Sequence, residues 1–248
     1  MFSPSICLVV PCRNDAALLE RCLRSFTDQK SPPDDIVVVD NASTDNTSEV
    51  ARSFGAHIIY EQQVGITWAA SAGYDAATQL GHHIILRTDA DAWAQPGFVD
   101  KLRHEWARPA PNSKRVVGVT GRATFDLVAG GKLASAIYLN AYRLSVGAAL
   151  GHTPFFGTNA SFTTQWWSEV RDSLDLSDTQ SHDDIQLSFA VRPNETVRYV
   201  PTLNLHMDPR ALKGAAQLHS RFSRGWHSML KGFAYSAPPR RLVERWTS

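Results

Sequence analysis

The chain has 248 residues, 43% of them hydrophobic and 20% charged, with a formal net charge of +1. Those are values of an ordinary globular α/β domain with a substantial core, and the near-neutral balance points to neither nucleic acid nor a membrane as a bulk partner. The charge is uneven, however: eight of the 25 Lys/Arg but one of the 24 Asp/Glu lie from Arg210 onward, so an acidic body carries a basic end segment. Cys7, Cys12 and Cys22 form no CxxC spacing and read as reduced thiols of a cytosolic protein, with Cys7 and Cys12 packed in the core. The opening MFSPSICLVV lacks the basic start of a signal peptide. No run reaches the roughly 20 apolar residues of a membrane span, and the stretch from Leu133 to Leu150 is interrupted by Asn140 and Arg143.

In chain order, SICLVVPCRND predicts a strand over Ile6 to Val10, stopped by Pro11. AALLERCLRSFTDQ sets Leu18, Leu19, Cys22, Leu23 and Phe26 at helical spacing, with Asn14 or Asp15 as the N-cap. After the SPPDD turn, IVVVD (36–40) is a continuous run rich in β-branched residues, the mark of a strand buried on both faces. NASTDNT is a polar loop and helix start, and Gly55 ends that helix. HIIY is a strand, ITWAASAGYDAATQL a helix, HHIILRT a strand, PGFVDKLRHEW a helix with Pro96 at its start, and RVVGVT a further strand. This βαβαβαβαβ order predicts a parallel sheet with helices on both faces. Residues 121–150 are mixed in pattern. FFGTNASF, a helix around Gln165 to Leu174, DDIQLSFAV and VRYVPTLNLH then predict an added strand or two and helices on the same sheet. No linker or repeat appears, so one domain is expected.

Ligands of open parallel sheets bind at the carboxyl ends of the strands. Asp40 ends IVVVD, Asp89 and Asp91 end IILRTDAD, and Arg13, Asn14 and Asp15 follow the first strand. Carboxylates as close as Asp89 and Asp91 repel unless a metal ion, a basic partner or solvent relieves them. Asp45 reads as a cap or turn residue, and His82 and His83 as turn or solvent residues.

Several segments resemble the family 2 glycosyltransferases, which have the GT-A fold. They are VVPCRNDAALLERCLRSF, IVVVDNASTDNT, QQVGITWAASAG, IILRTDADAWAQPGF, FFGTNASF, SHDDIQLSFAV and YVPTLNLH, in family order over roughly residues 5–207. The resemblance implies a GT-A domain over 1–209, with a nucleotide-binding half at 1–120 and an acceptor half at 121–209. Residues 210–248 would pack on it or cover it. It implies nucleotide contacts from Pro11, Arg13, Asp15, Asp40 and Asp89. It further implies a divalent metal ion, Mn²⁺ or Mg²⁺, on Asp91, with Asp89 on ribose or a metal-bound water and His206 as a third ligand. In SHDDIQLSFAV the second acid, Asp184, aligns with the base, and Asp183 is its close competitor. Trp93, Gly157 and Asn159 would meet the donor sugar or acceptor, whereas Trp166 and Trp167 read as helix packing.

The implied chemistry is inverting transfer from a nucleotide-diphosphate sugar, a UDP-sugar first, to a hydroxyl of a sugar, lipid-linked or small-molecule acceptor. The base takes the hydroxyl proton as the anomeric carbon is attacked opposite the leaving diphosphate. Where many relatives carry Arg-Asn, this chain has Ala70 and Ser71, so Arg87 or Arg13 is expected to substitute. The QxxRW signature of processive synthases is absent. A nucleotidyltransferase would want a Gly-rich basic loop that PCRND lacks. A haloacid-dehalogenase-like phosphatase would want Thr or Val where Ala92 stands. A non-catalytic nucleotide-sugar binder stays open. The C-terminal segment mixes its basic residues with Phe222, Trp226, Phe233, Tyr235 and Trp246. It reads as a lid in which Arg221 or Arg224 meets the diphosphate, as a peripheral contact with an anionic membrane, or as a packed helix.

Overall fold

The computed structural model describes residues 3–110, 114–127, 130–212 and 215–247. Among these, eight strands form one sheet: β1 (Ile6–Cys12), β2 (Asp35–Asp40), β3 (His57–Tyr60), β4 (Ile84–Arg87), β5 (Ala92–Ala94), β6 (Arg115–Phe125), β7 (Ala160–Thr163) and β8 (Glu195–Met207). Their order is β3-β2-β1-β4-β7-β6-β8-β5. The helices are α1 (Ala16–Thr27), α2 (Thr47–Ser53), α3 (Ile66–Gln79), α4 (Phe98–Ala107), α5 (Gly131–Leu150), α6 (Thr164–Val170), α7 (Asp183–Ala190), α8 (Ala215–Tyr235) and α9 (Pro238–Thr247).

Alternation in the strands explains why helices cover both faces. Ile6, Leu8, Val10, Ile36 and Val38 pack with Leu19, Leu23 and Phe26 of α1 and Phe98 and Leu102 of α4. Cys7, Val9, Val37 and Val39 point the other way, against Ala69, Ala70, Tyr74 and Ala77 of α3 and Trp166 and Trp167 of α6. Tyr74, Phe162 and Trp167 meet edge to face, with the Tyr74 centroid 5.0 Å from Phe162 and 4.9 Å from Trp167. A Cβ at Gly73 would stand 2.4 Å from Val9 Cγ1, so glycine lets α3 lie this close to β1.

Two expectations from sequence need correction. Pro11 does not stop β1, which runs on to Cys12 and pairs Pro11 with Val39. Thr88 N–H donates to Val9 O on the β4 side, and β4 has ended by then. The N–H that proline lacks would point to that vacated edge, where no ladder bond is lost. Second, β6 is not the next parallel strand beside β4. The short strand β7 lies between them, antiparallel to both, while β6 pairs in parallel with β8. The mixed region 121–150 contains the end of β6 and the 20-residue helix α5.

Described residues of the basic end segment pack on the rest of the domain. Met229 of α8 packs with Val146 and Leu150 of α5 and Ile185 of α7. Arg241 and Arg245 of α9 are buried and donate to carbonyls at the end of α7 and the start of β8. Arg241 reaches Phe189 O at 3.2 Å, and Arg245 reaches Val191 O at 2.9 Å and Glu195 O at 3.1 Å. Cations suit the exposed carbonyls at a helix C-terminus. Burial, with Arg241 second, lowers the Arg245 pKa to about 10. Among the described residues no helix is long and apolar enough to cross a membrane.

Candidate active site at the strand ends

The carboxyl ends of β1, β2 and β4 lie side by side, because these strands run parallel in the order β2-β1-β4. The loop after β1 turns through Asn14 at φ 54°, and Asn14 Oδ1 accepts Thr44 N–H at 2.7 Å from the loop after β2. Asp45 Oδ2 accepts Ala16 N–H at 3.0 Å, so the first turn of α1 is capped from a different loop. Asp45, read from sequence as a cap or turn residue, thus caps α1, where Asn14 or Asp15 was expected. Asp15 occupies the N-cap position of α1 without making a side-chain cap bond; its carboxylate has another partner.

That partner is Arg210. Its Nη1 and Nη2 donate to the two oxygens of Asp15 at 2.5 and 2.6 Å, and its Nε donates to Asp91 Oδ2 at 3.1 Å. The hydrogen bonds to Asp15 outweigh the cost of burial, and with the Asp91 charge they raise the Arg210 pKa. Asp89 is held by a different cation. Arg87 Nη1 donates to Asp89 Oδ1 at 2.7 Å, and Thr158 Oγ1 donates to Asp89 Oδ2 at 2.6 Å. The repulsion between Asp89 and Asp91 is therefore relieved by one guanidinium on each.

Arg87 also reaches the second acidic pair. Its Nη2 lies 3.4 Å from Asp183 Oδ1 and its Nε 3.3 Å from Asp183 Oδ2, and Tyr74 Oη donates to Asp183 Oδ2 at 3.1 Å. Burial opposes the Arg87 charge, but Asp183 and Asp89 more than offset it and raise its pKa. Asp184 faces elsewhere. Its Oδ2 accepts Gly157 N–H at 2.8 Å and lies 3.5 Å from Tyr142 Oη. Burial, then the Asp183 charge, raises the Asp184 pKa above the ordinary carboxylate value. A Cβ at Gly157 would sit 3.0 Å from Arg87 Nη1 and 3.2 Å from Asp184 Oδ2, so this backbone approach depends on glycine.

Other candidates are placed differently. Asp40 caps its own loop through Ser43 N–H at 2.9 Å and the Ser48 hydroxyl. Pro11 is buried inside β1, and Arg13 is exposed at the mouth of the strand ends. His206 is not drawn to Asp91. The β5–β8 register sets it opposite Trp93, so its ring stacks there at 5.6 Å and its Nε2 lies 2.6 Å from Gln95 Nε2. Asp91 pairs through its carbonyl with Asp208 N–H instead. The Trp93 ring also carries Arg21 at 3.2 Å. Asn159 turns into the sheet, donating to Arg122 O at 2.7 Å and Leu203 O at 3.0 Å across the irregular β6–β8 pairing.

Arg87 is too buried and committed to stand in for an absent nucleotide arginine. Arg224 donates to Gln180 O at 3.1 Å and Thr179 O at 3.3 Å, which ties α8 to the loop before α7 rather than to the strand ends. The Arg221 side chain lies outside the described residues. Arg210, Thr158, Tyr74 and Tyr142 were not singled out from sequence. Arg210 carried a faint signal, four residues after His206; the others had none.

Asp89 and Asp91 present hard oxygen donors suited to a divalent cation, and the guanidinium beside Asp91 shows that a positive group is accommodated there. Among the described residues no three His, Cys, Asp or Glu side chains gather as a metal cluster. The two carboxylates are the donors that fit a metal, and His206 lies on β8 stacked against Trp93.

The mostly parallel, curled sheet with helices around it has the GT-A fold. Residues 7–128 match the model of glycosyl transferase family 2. It is 31% identical over 121 residues to validoxylamine A glucosyltransferase of Streptomyces hygroscopicus subsp. limoneus, covering 46% of this chain and 26% of that protein. It is 34% identical over 92 residues to 4,4'-diaponeurosporenoate glycosyltransferase of Staphylococcus haemolyticus, covering 35% and 24%. The matches thus span about a quarter of these relatives. Among solved structures, a mannosyltransferase from Pyrobaculum calidifontis in complex with GDP-Man and Mn²⁺ superposes with a TM-score of 0.62 at 18% identity, over 100% of this chain and 74% of that one. Glucosyl-3-phosphoglycerate synthase from Mycobacterium tuberculosis, in complex with Mn²⁺, UDP-Glc and phosphoglyceric acid, gives 0.59 at 20% identity, over 89% and 79%.

Proposed function

We propose that this protein is an inverting, metal-dependent glycosyltransferase that moves a sugar from a nucleotide-diphosphate sugar, a UDP-sugar first, to an acceptor hydroxyl. The observation that carries the reading is the division of labour between the two acidic pairs. Asp89 and Asp91 lie at the strand ends, where nucleotide ligands of open sheets bind. Asp184, with its raised pKa and its Oδ2 against Gly157 N–H, lies one guanidinium away through Asp183 and Arg87.

In this reading Asp15 and Asp89 take donor hydroxyl or base N–H groups, and Asp91 with Asp89 holds the divalent cation. The bound cation supplies charge stabilisation for the departing diphosphate. Asp183 is the positioning residue that keeps Arg87 beside the pair. Asp184 Oδ2 takes the acceptor proton, and Gly157 N–H and Tyr142 Oη fix the orientation of that oxygen. A base nearer neutrality than a solvent-exposed aspartate gives a better match to a hydroxyl. Arg210 must leave Asp15 and Asp91 when the donor binds, because it occupies their oxygens.

The test is donor turnover together with nucleotide-diphosphate binding in the presence of Mn²⁺ or Mg²⁺. Asp91→Ala should abolish transfer and remove the metal dependence of nucleotide binding. Full activity in EDTA, or in this variant, refutes the metal role. Binding without any turnover would favour a nucleotide-sugar binder.

A further inference from the structure

Two arginines around Tyr199 have no acidic partner among the described residues. Arg143 lies next to Tyr142 on α5, with its guanidinium 4.3 Å from the centroid of the Tyr199 ring. Arg122 of β6 donates through Nε to the hydroxyl of the same Tyr199 at 2.9 Å. Arg87, Arg115, Arg171, Arg192 and Arg210 all pair with carboxylates. Among the described residues, neither Arg122 nor Arg143 does. Arg143 Nε is moreover buried without a hydrogen-bond partner, and its Nη2 has only a long 3.5 Å contact to Asn140 Oδ1. A buried donor left unpaired is costly, and two adjacent guanidiniums without counter-charge repel.

A groove lined by Thr120, Leu139, Tyr142, Arg143, Phe156 and Tyr199 opens beside Arg143, and Tyr142 forms its wall toward Asp184. Tyr142 spans the interval, because its hydroxyl donates to Phe155 O at 2.9 Å and lies 3.5 Å from Asp184 Oδ2. The enclosed space is about 20 Å³, room for roughly one water, so an anion would sit at its mouth on the two guanidiniums.

We propose that Arg122 and Arg143 form an acceptor subsite for a hydroxyl compound carrying a phosphate or carboxylate group. This rests on the glycosyltransferase reading and narrows it to an acceptor class. The anion docks on the guanidinium pair, whose planar donors suit either group. Tyr142 guides the body of the acceptor, and one of its hydroxyls reaches Asp184. The two arginines touch the acceptor away from the reacting atoms, so they set specificity.

The test is a titration of the full chain saturated with UDP and Mn²⁺, which fills the diphosphate site. Glucose, glucose 6-phosphate and glucuronate serve as neutral, phosphate and carboxylate probes. The expected result is saturable binding of at least one charged probe, about tenfold or more tighter than glucose. Arg122→Gln/Arg143→Gln should erase that preference, and Arg143→Lys should keep part of it. The preferred charged probe identifies the anion. Equal binding of all three probes, or an unchanged preference in the double variant at unchanged melting temperature, overturns the subsite. UDP affinity is read separately in the same samples. Failure of UDP to bind would refute the glycosyltransferase reading, and the probes, then titrated without it, still decide the anion site.

Discussion

The two carboxylates of Asp183-Asp184 should fail in opposite ways when each is changed to asparagine. Asp183 lies against Arg87, with side chains 9% and 4% exposed, and also accepts from Tyr74. Removing one member of such a buried pair costs about 3–5 kcal/mol. Arg87 keeps Asp89 at 2.7 Å, so the low end, about 3 kcal/mol, is expected for Asp183→Asn. For a chain of this size that corresponds to a fall of about 6–12 °C in melting temperature. Asp184→Asn removes a buried charge while its amide oxygen can still accept from Gly157 N–H. Because the folded pKa of Asp184 is raised, its ionisation costs stability as pH rises from the unfolded value through the folded one. The asparagine escapes that cost, so its melting temperature at pH 7 should equal or exceed that of the wild type. Its kcat should fall by about 10²–10⁴, the loss for a general base, with donor binding nearly intact. Thermal unfolding and steady-state kinetics on both variants decide the matter. If Asp183→Asn loses kcat at full stability while Asp184→Asn stays active, the base is assigned one residue too late.

Other consequences follow from the same geometry. The catalytic base must be deprotonated, so kcat/KM should rise with pH along a limb lying above the ordinary carboxylate value of about 3.9; a limb at or below that value contradicts the raised Asp184 pKa. Arg210→Gln leaves Asp15 and Asp91 without their shared cation and should destabilise the metal-free protein by about 1 kcal/mol. Added Mn²⁺ should restore most of that loss, and melting curves with and without the metal would detect it. Arg245→Ala strands the carbonyls of Val191 and Glu195 and should cost about 2–3 kcal/mol in urea unfolding, with kcat per folded molecule unchanged.

The sequence by itself determined the N-terminal half of the sheet. Buried parallel strands write themselves as apolar runs such as IVVVD, and acids that follow such runs fall at one edge of the sheet. Local periodicity also specified α1, α3 and α6, and the order of the motifs that resemble family 2 glycosyltransferases carried the fold. Partnership across the sheet was not written locally. Nothing near IILRTDAD indicates that Asp91 would meet Arg210, 119 residues away, or that Asp89 would share Arg87 with Asp183. Asp40 and Asn159 carry ligand-like side chains that the fold spends on its own loop and strand carbonyls, because a buried polar group must find the nearest partner. His206 was placed by strand register, which set it against Trp93, and the basic C-terminal helices were placed by the carbonyls and acids they meet. Charge pattern alone did not distinguish a lid or a membrane face from a scaffold. Burial and hydrogen-bond geometry, which exist only after packing, set Arg224, Arg241 and Arg245 against backbone carbonyls.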